Sequence, residues 1–213
     1  MRQINRKATP KVVGGRVQKK NDPETSPSYY DTPQAMPVID RQRPGKGYRH
    51  VLMQRDIETF IGLLPEWAEL SRGLNAIVLA PGERGLNGYY GRGVVHVCAW
   101  DEGLWQEHQN GTAFFEAHEP IFRRLGVPMA ALEGGHTVCR FTEETARAYQ
   151  LLHILLHELG HHHDRLTTKP RGAANRGESY AEAYALKHEA VIWGRYQQAF
   201  GVLGAKNADS GAA

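Results

Sequence analysis

The chain has 213 residues, 41% hydrophobic and 23% charged, a balance near the globular norm that excludes a wholly disordered chain, a fibrous repeat and a large multidomain enzyme. No apolar run reaches the roughly 18–20 residues that cross a bilayer, and the N-terminal Met-Arg-Gln-Ile-Asn-Arg-Lys is followed by no secretory-type apolar stretch, so a soluble, cytoplasmic protein with no membrane span is expected. The net charge of +3 is uneven: residues 1–47 carry ten Lys/Arg against four Asp/Glu, net +6, which leaves residues 48–213 at net −3.

In chain order, the first stretch also holds Pro10, Pro23, Pro27, Pro33, Pro37 and Pro44 and almost no periodic apolar residues. This predicts a disordered, basic, Pro-rich tail over 1–47 ahead of a single domain over 48–213. The tail is a solvated segment in the simpler reading, and its charge also suits a weak anionic partner such as nucleic acid. From Asp56 to Leu70 apolar groups recur at helical spacing, predicting a helix over 53–71 stopped by Gly73. Residues 74–80 read as a strand closed by Pro81-Gly82, and residues 89–100, rich in β-branched and aromatic side chains, as a second strand. A polar loop over 101–111, a helix over 113–125 interrupted at Pro120, and a third strand over 136–141 follow. Cys98 and Cys139 are expected as free, buried thiols.

Thr142 suits a helix N-cap, with Glu143 and Glu144 in the first turn, and no proline interrupts the chain from there to Asp164. One long helix is predicted, carrying His157-Glu158-Leu159-Gly160-His161. Residues four apart on a helix lie almost above one another, so His157 and His161 converge on one ion. Glu158, about 100° round the axis, stands beside the ion as a base. Leu151, Leu152, Ile154, Leu155, Leu156 and Leu159 surround the helix with apolar groups, and buried imidazoles with a buried carboxylate are costly unless a metal partners them. Zinc is the expected cofactor, and a catalytic zinc needs a third protein ligand. A second helix over about 178–200 supplies Glu178 and Glu182 on one face, suited to a ligand and to a carboxylate that holds a ligand imidazole by its other ring nitrogen. On the helical wheel Asp164 and His153 also face the metal side and could support a ligand in the same way, whereas His162 and His163 point elsewhere, toward packing or loop contacts.

Over residues 136–190 the chain resembles the gluzincins, zinc metallopeptidases with HExxH on one helix and a Glu-x-x-x-Asp type motif on the next, and within them the minimal gluzincins and the ImmA/IrrE-like or HtpX-like peptidases. The resemblance implies that His157, His161 and Glu178 bind zinc, that Glu158 is the general base, and that Glu182 stands where those proteins have Asp or Asn. The expected fold class is α+β and zincin-like: a small twisted sheet, with strand 136–141 or 90–99 at the edge beside the cleft, an HExxH helix, and a second helix carrying the third ligand. The expected activity is hydrolysis of peptide bonds in a protein or peptide substrate, with zinc-bound water activated by Glu158. Oxyanion help is open among Tyr180, Tyr184 and His188, and His188 is also an alternative third ligand. The rival reading is a metal-binding or latent zincin-like protein that acts as a nucleic-acid or partner-binding module.

Overall fold

The computed structural model describes residues 12–13, 16–17, 28–168, 176–201 and 203. It has a mixed α+β architecture of helices packed on small sheets. Its strands are β1 (Val12–Val13), β2 (Arg16–Val17), β3 (Val38–Arg41), β4 (Tyr48–Arg49), β5 (Ala76–Ala80), β6 (Gly88–Gly91), β7 (Val94–Cys98), β8 (Trp100–Asp101), β9 (Trp105–Gln109), β10 (Met129–Leu132) and β11 (His136–Arg140). Its helices are α1 (Gln54–Ile61), α2 (Trp67–Leu70), α3 (Ala113–Arg124), α4 (Glu143–Tyr149), a π-helical segment (Gln150–Leu155), α5 (Leu156–Thr167) and α6 (Gly177–Phe200).

The main sheet has the order β3-β5-β7-β6, parallel except for β6, which runs antiparallel along the edge. Every residue of β5 and β7 is buried, as expected for parallel strands covered on both faces. Ile77, Leu79, Val95 and Val97 join the principal core with the helices, while Ala76, Val78, Ala80, Val94 and Cys98 form a second cluster under Tyr29 and Leu86. Cys98 and Cys139 are both free and buried.

Several expected elements change. Residues 89–100 are not one strand: Arg92 and Gly93, at φ 52° and 76°, make a left-handed two-residue turn that folds them into the hairpin β6–β7. The edge at this end of the sheet is therefore residues 88–91, with β3 at the other. Strand 136–141 is not an edge either, because β11 is the centre of a second sheet, β10-β11-β9. Its partner β9 lies in the stretch expected to be a polar loop. The helix expected over 53–71 is two pieces, separated by a break in which Glu66 adopts φ 59°. Helix α3 runs through Pro120 without interruption, since Pro120 and Glu116, the carbonyl it deprives of a partner, both face solvent. The boundary expected at residue 47 also moves. β3 pairs in parallel with β5, Val38 opposite Ala76 through Arg41 opposite Leu79, so the folded unit includes residues expected in the tail. Apart from β1 and β2, residues 1–27 of that tail lie outside the described residues.

The long helix that carries His157 and His161 starts as expected. Thr142 Oγ1 accepts from Thr145 N (3.1 Å) and Thr145 Oγ1 from Thr142 N (2.8 Å), a reciprocal cap. The helix widens into π geometry over Gln150–Leu155 before resuming as α5. α6 then packs along α5 so closely that a Cβ on Gly160 would sit 2.9 Å from Ala181 Cα. Among the described residues no helix is long and apolar enough to cross a membrane.

Candidate metal centre

The four-residue helical spacing stacks His157 and His161 with Nε2 atoms 3.2 Å apart and ring planes 77° apart. Glu178, in the first turn of α6, reaches across: Oε2 lies 3.1 Å from His157 Nε2 and Oε1 3.4 Å from His161 Nε2. Metal bonds of about 2.0–2.1 Å give a tetrahedral edge of about 3.3 Å. The three donors therefore already stand at ligand spacing, and His157, His161 and Glu178 form a group that could hold an ion. Both imidazoles are half-buried and the Glu178 side chain is 83% exposed, so this carboxylate can swing onto the ion from the solvent side. The charge state agrees. Burial works against protonating His157, but the carboxylates of Glu182, Glu158 and Glu178 outweigh it and raise its pKa. For His161, burial followed by the charge of His157 lowers the pKa. An ion at these nitrogens would take the place of the proton that the carboxylates favour on His157.

Glu182, one turn along α6, lies with Oε2 3.3 Å from His157 Nδ1. A carboxylate accepts from each ring nitrogen here, Glu182 at Nδ1 and Glu178 at Nε2; a proton held on Nδ1 by Glu182 would leave Nε2 as the lone pair for an ion. Burial would raise the Glu182 pKa, but the His157 hydrogen bond and the nearby His153 and His118 rings leave it lowered. The same oxygen is 3.5 Å from His153 Nε2. His153 is 1% exposed, and burial pushes its pKa down to about 3. The same His153 Nε2 also lies 3.2 Å from Nε2 of His118 of α3.

Glu158 is 6% exposed, and burial raises its pKa to about 7, against the lowering effect of His157. The edge strand crosses directly over it: a Cβ on Gly88 would meet Glu158 Oε1 at 3.2 Å and Ile154 Cγ2 at 2.7 Å. Only glycine lets β6 approach this carboxylate.

Asp164 is fully buried and accepts from Thr168 Oγ1 (2.6 Å), Arg176 Nε (2.7 Å) and the Gly177 amide (3.3 Å). Burial would raise its pKa, and these donors together lower it. None of these three partners is an imidazole; Asp164 clamps the end of α5 to the start of α6 and thereby sets where Glu178 begins its reach. Arg176 also lies over the Tyr180 ring, 3.6 Å from its centroid. His162 is a packing residue, between Tyr90 Oη (3.2 Å) and the Arg72 carbonyl (3.1 Å). His163 bonds Tyr180 Oη at 2.7 Å. Tyr180, Tyr184 and His188, the open choices for oxyanion help, line a separate cavity of about 780 Å³ with His163 and Lys187. His188 stacks on Tyr184 there and donates Nδ1–H to its carbonyl at 2.9 Å, so it is not brought to the donor triangle as a third ligand.

Two contributors are absent from the sequence reading. Gly88 carries no signal beyond its place in a glycine-rich stretch, and His118 is a lone histidine on a helix 35 residues before its partner. No protein-family model matches the chain, and no curated protein and no solved structure matches it.

Proposed function

We propose that the chain is a zinc-dependent peptidase of zincin-like fold, related to the gluzincins that its HExxH helix resembles. The observation that carries this reading is the convergence of His157 Nε2, His161 Nε2 and the Glu178 carboxylate to 3.1–3.4 Å, with the buried Glu158 next in sequence to His157. His157, His161 and Glu178 would hold the ion, which supplies Lewis-acid activation of a carbonyl and of water when bound. Three protein ligands leave a fourth position open, the pattern of a catalytic rather than a structural zinc. Glu182 keeps the His157 Nδ1 proton in place. Glu158 takes the proton of the attacking water at its carboxylate and delivers it to the leaving amine. In the metal-free protein burial raises the Glu158 pKa to about 7, and a cation bound beside it would draw that value down toward the carboxylate form a base needs.

An extended substrate has a natural seat. β6 is the edge of its sheet, no strand among the described residues pairs with its outer side, and it passes over Glu158 at Gly88. Main-chain hydrogen bonds to that edge would lay a scissile peptide across the donor triangle, with little demand on its sequence. The deciding experiment is zinc reconstitution of the purified chain followed by incubation with denatured casein and a quenched peptide pool. Cleavage that needs zinc and is lost in Glu158→Gln is the expected result. Absence of zinc binding, or cleavage unchanged in Glu158→Gln, would remove the reading.

A further inference from the structure

Glu182 Oε2 has a second neighbour besides His157 Nδ1: His153 Nε2, at 3.5 Å. His153 Nε2 in turn lies 3.2 Å from His118 Nε2. The protons along this row follow from its far end. The Phe114 carbonyl can only accept, so His118 Nδ1, 2.7 Å from it, carries the ring proton and leaves Nε2 as a lone pair. Burial lowers the pKa of both rings, so each holds a single proton. A hydrogen bond between two imidazole nitrogens needs one donor, and with His118 Nε2 bare that donor is His153 Nε2–H. The same N–H faces the Glu182 carboxylate, and His153 Nδ1 is left as a bare, buried nitrogen with no hydrogen-bond partner. Burying it so costs about 1–3 kcal/mol, a cost that an apolar side chain at this position would not carry.

We propose that His153 is a positioning residue, fixed by His118 as an Nε2–H donor that keeps the Glu182 carboxylate against His157 Nδ1. One Glu182 oxygen then faces two N–H groups, one from α5 and one from the π-helical segment. The Glu182 side chain is 29% exposed, so without His153 the carboxylate would be free to turn to water and release its hold on the His157 ring. His153 lies within the π-helical segment, a distortion frequent where a helix serves a functional site. This role rests on the reading of His157 as a metal ligand and not on hydrolysis.

Two measurements test it. Long-range proton–nitrogen NMR of the imidazoles in the metal-free full chain distinguishes the two neutral tautomers. His118 is expected as Nδ1–H and His153 as Nε2–H; His153 as Nδ1–H, or His118 as Nε2–H, overturns the role. The second measurement is a cycle of zinc affinities over the parent, His153→Leu, Glu182→Ala and the double variant, with circular dichroism as the check on folding. His153→Leu should cost about 10-fold in affinity, the low end for a residue that acts behind a ligand, and should cost nothing further once Glu182 is replaced. No loss in His153→Leu overturns the role. The same loss in both backgrounds overturns it too, because packing alone would act with or without the carboxylate. A parent that binds no zinc removes the peptidase reading instead, and the tautomers then decide the hydrogen-bonded row by themselves. Should His153→Leu fail to fold, the tautomers of the parent decide the matter.

Discussion

At the scale of single residues the carboxylates divide by what each touches. Glu158 bonds none of the donor nitrogens and sits almost sealed beneath β6, a placement that on the proposed peptidase reading suits proton transfer and not ligation. Glu158→Gln should leave zinc content unchanged and lower peptide hydrolysis by about 10²–10⁴-fold, the usual worth of a general acid–base group; metal analysis and a single-turnover assay on one preparation check both halves. Glu178 and Glu182 differ in a graded way. Glu178→Ala removes a direct donor and should abolish tight zinc binding, whereas Glu182→Ala removes only the acceptor that orients His157 and should cost about 10–100-fold in affinity. Equal losses in parallel zinc titrations would contradict this order. Protons compete for the same nitrogens. Because the surrounding carboxylates raise the His157 pKa above its ordinary value of about 6.5, zinc affinity should fall with each step down in pH from 8 to 5.5.

At the scale of elements, the α5–α6 contact governs whether the donors meet. Gly160 allows it: an added Cβ would stand 2.9 Å from Ala181 Cα, 3.1 Å from the Ala181 carbonyl oxygen and 3.1 Å from Tyr184 Cβ, two of them backbone atoms that cannot swing aside. Gly160→Ala should therefore push α6 outward. The expected cost is about 1–3 kcal/mol of stability in the metal-free protein, in the range of overpacked cores, together with weaker zinc binding because Glu178 moves with its helix. Thermal denaturation with and without zinc measures both. Asp164 works on the same contact from the other end, tying the last turn of α5 to Arg176 and Gly177. The π-helical segment has a local part as well. It positions His153 toward His118 and Glu182, and it lets Gln150 Nε2 reach the Cys98 carbonyl at 2.7 Å, stitching the helix to β7.

At the scale of the molecule, the main sheet is buried on both faces by different means. Helices cover one. Over the other, Tyr29 bonds Asp40 at 2.8 Å, and Tyr30 donates to His96 Nε2 at 2.9 Å, since His96 Nδ1–H is given to the Tyr89 carbonyl. Tyr30→Phe strands a buried acceptor and should lower stability by about 1–3 kcal/mol, readable as a shift in denaturant midpoint. Burial lowers the His96 pKa, more than its bond to Tyr89 raises it. The unfolded chain then takes up the proton first, and the stability of the metal-free protein should decline as pH falls below about 6.5 and through the lower folded value. A melting temperature that stays flat between pH 7 and pH 5 would count against His96 being held neutral.

What the amino-acid sequence determined by itself is what the helix geometry makes local. The i to i+4 repeat aligns His157 with His161 and Glu178 with Glu182, and Thr142 caps the helix; both follow from the local geometry of backbone bonds spanning four residues. Tertiary structure alone decided which strand lies at the edge, that Val38–Arg41 joins the sheet, and that Trp-Gln-Glu-His-Gln over residues 105–109 is a strand. Strand pairing depends on partners distant in the chain, and a run with four polar residues in five becomes extended only because β11 lies beside it. The same holds for His118 and Gly88. Neither belongs to a spacing pattern, and each acquires its role from packing, α3 against the π-helical segment in one case and the hairpin over Glu158 in the other.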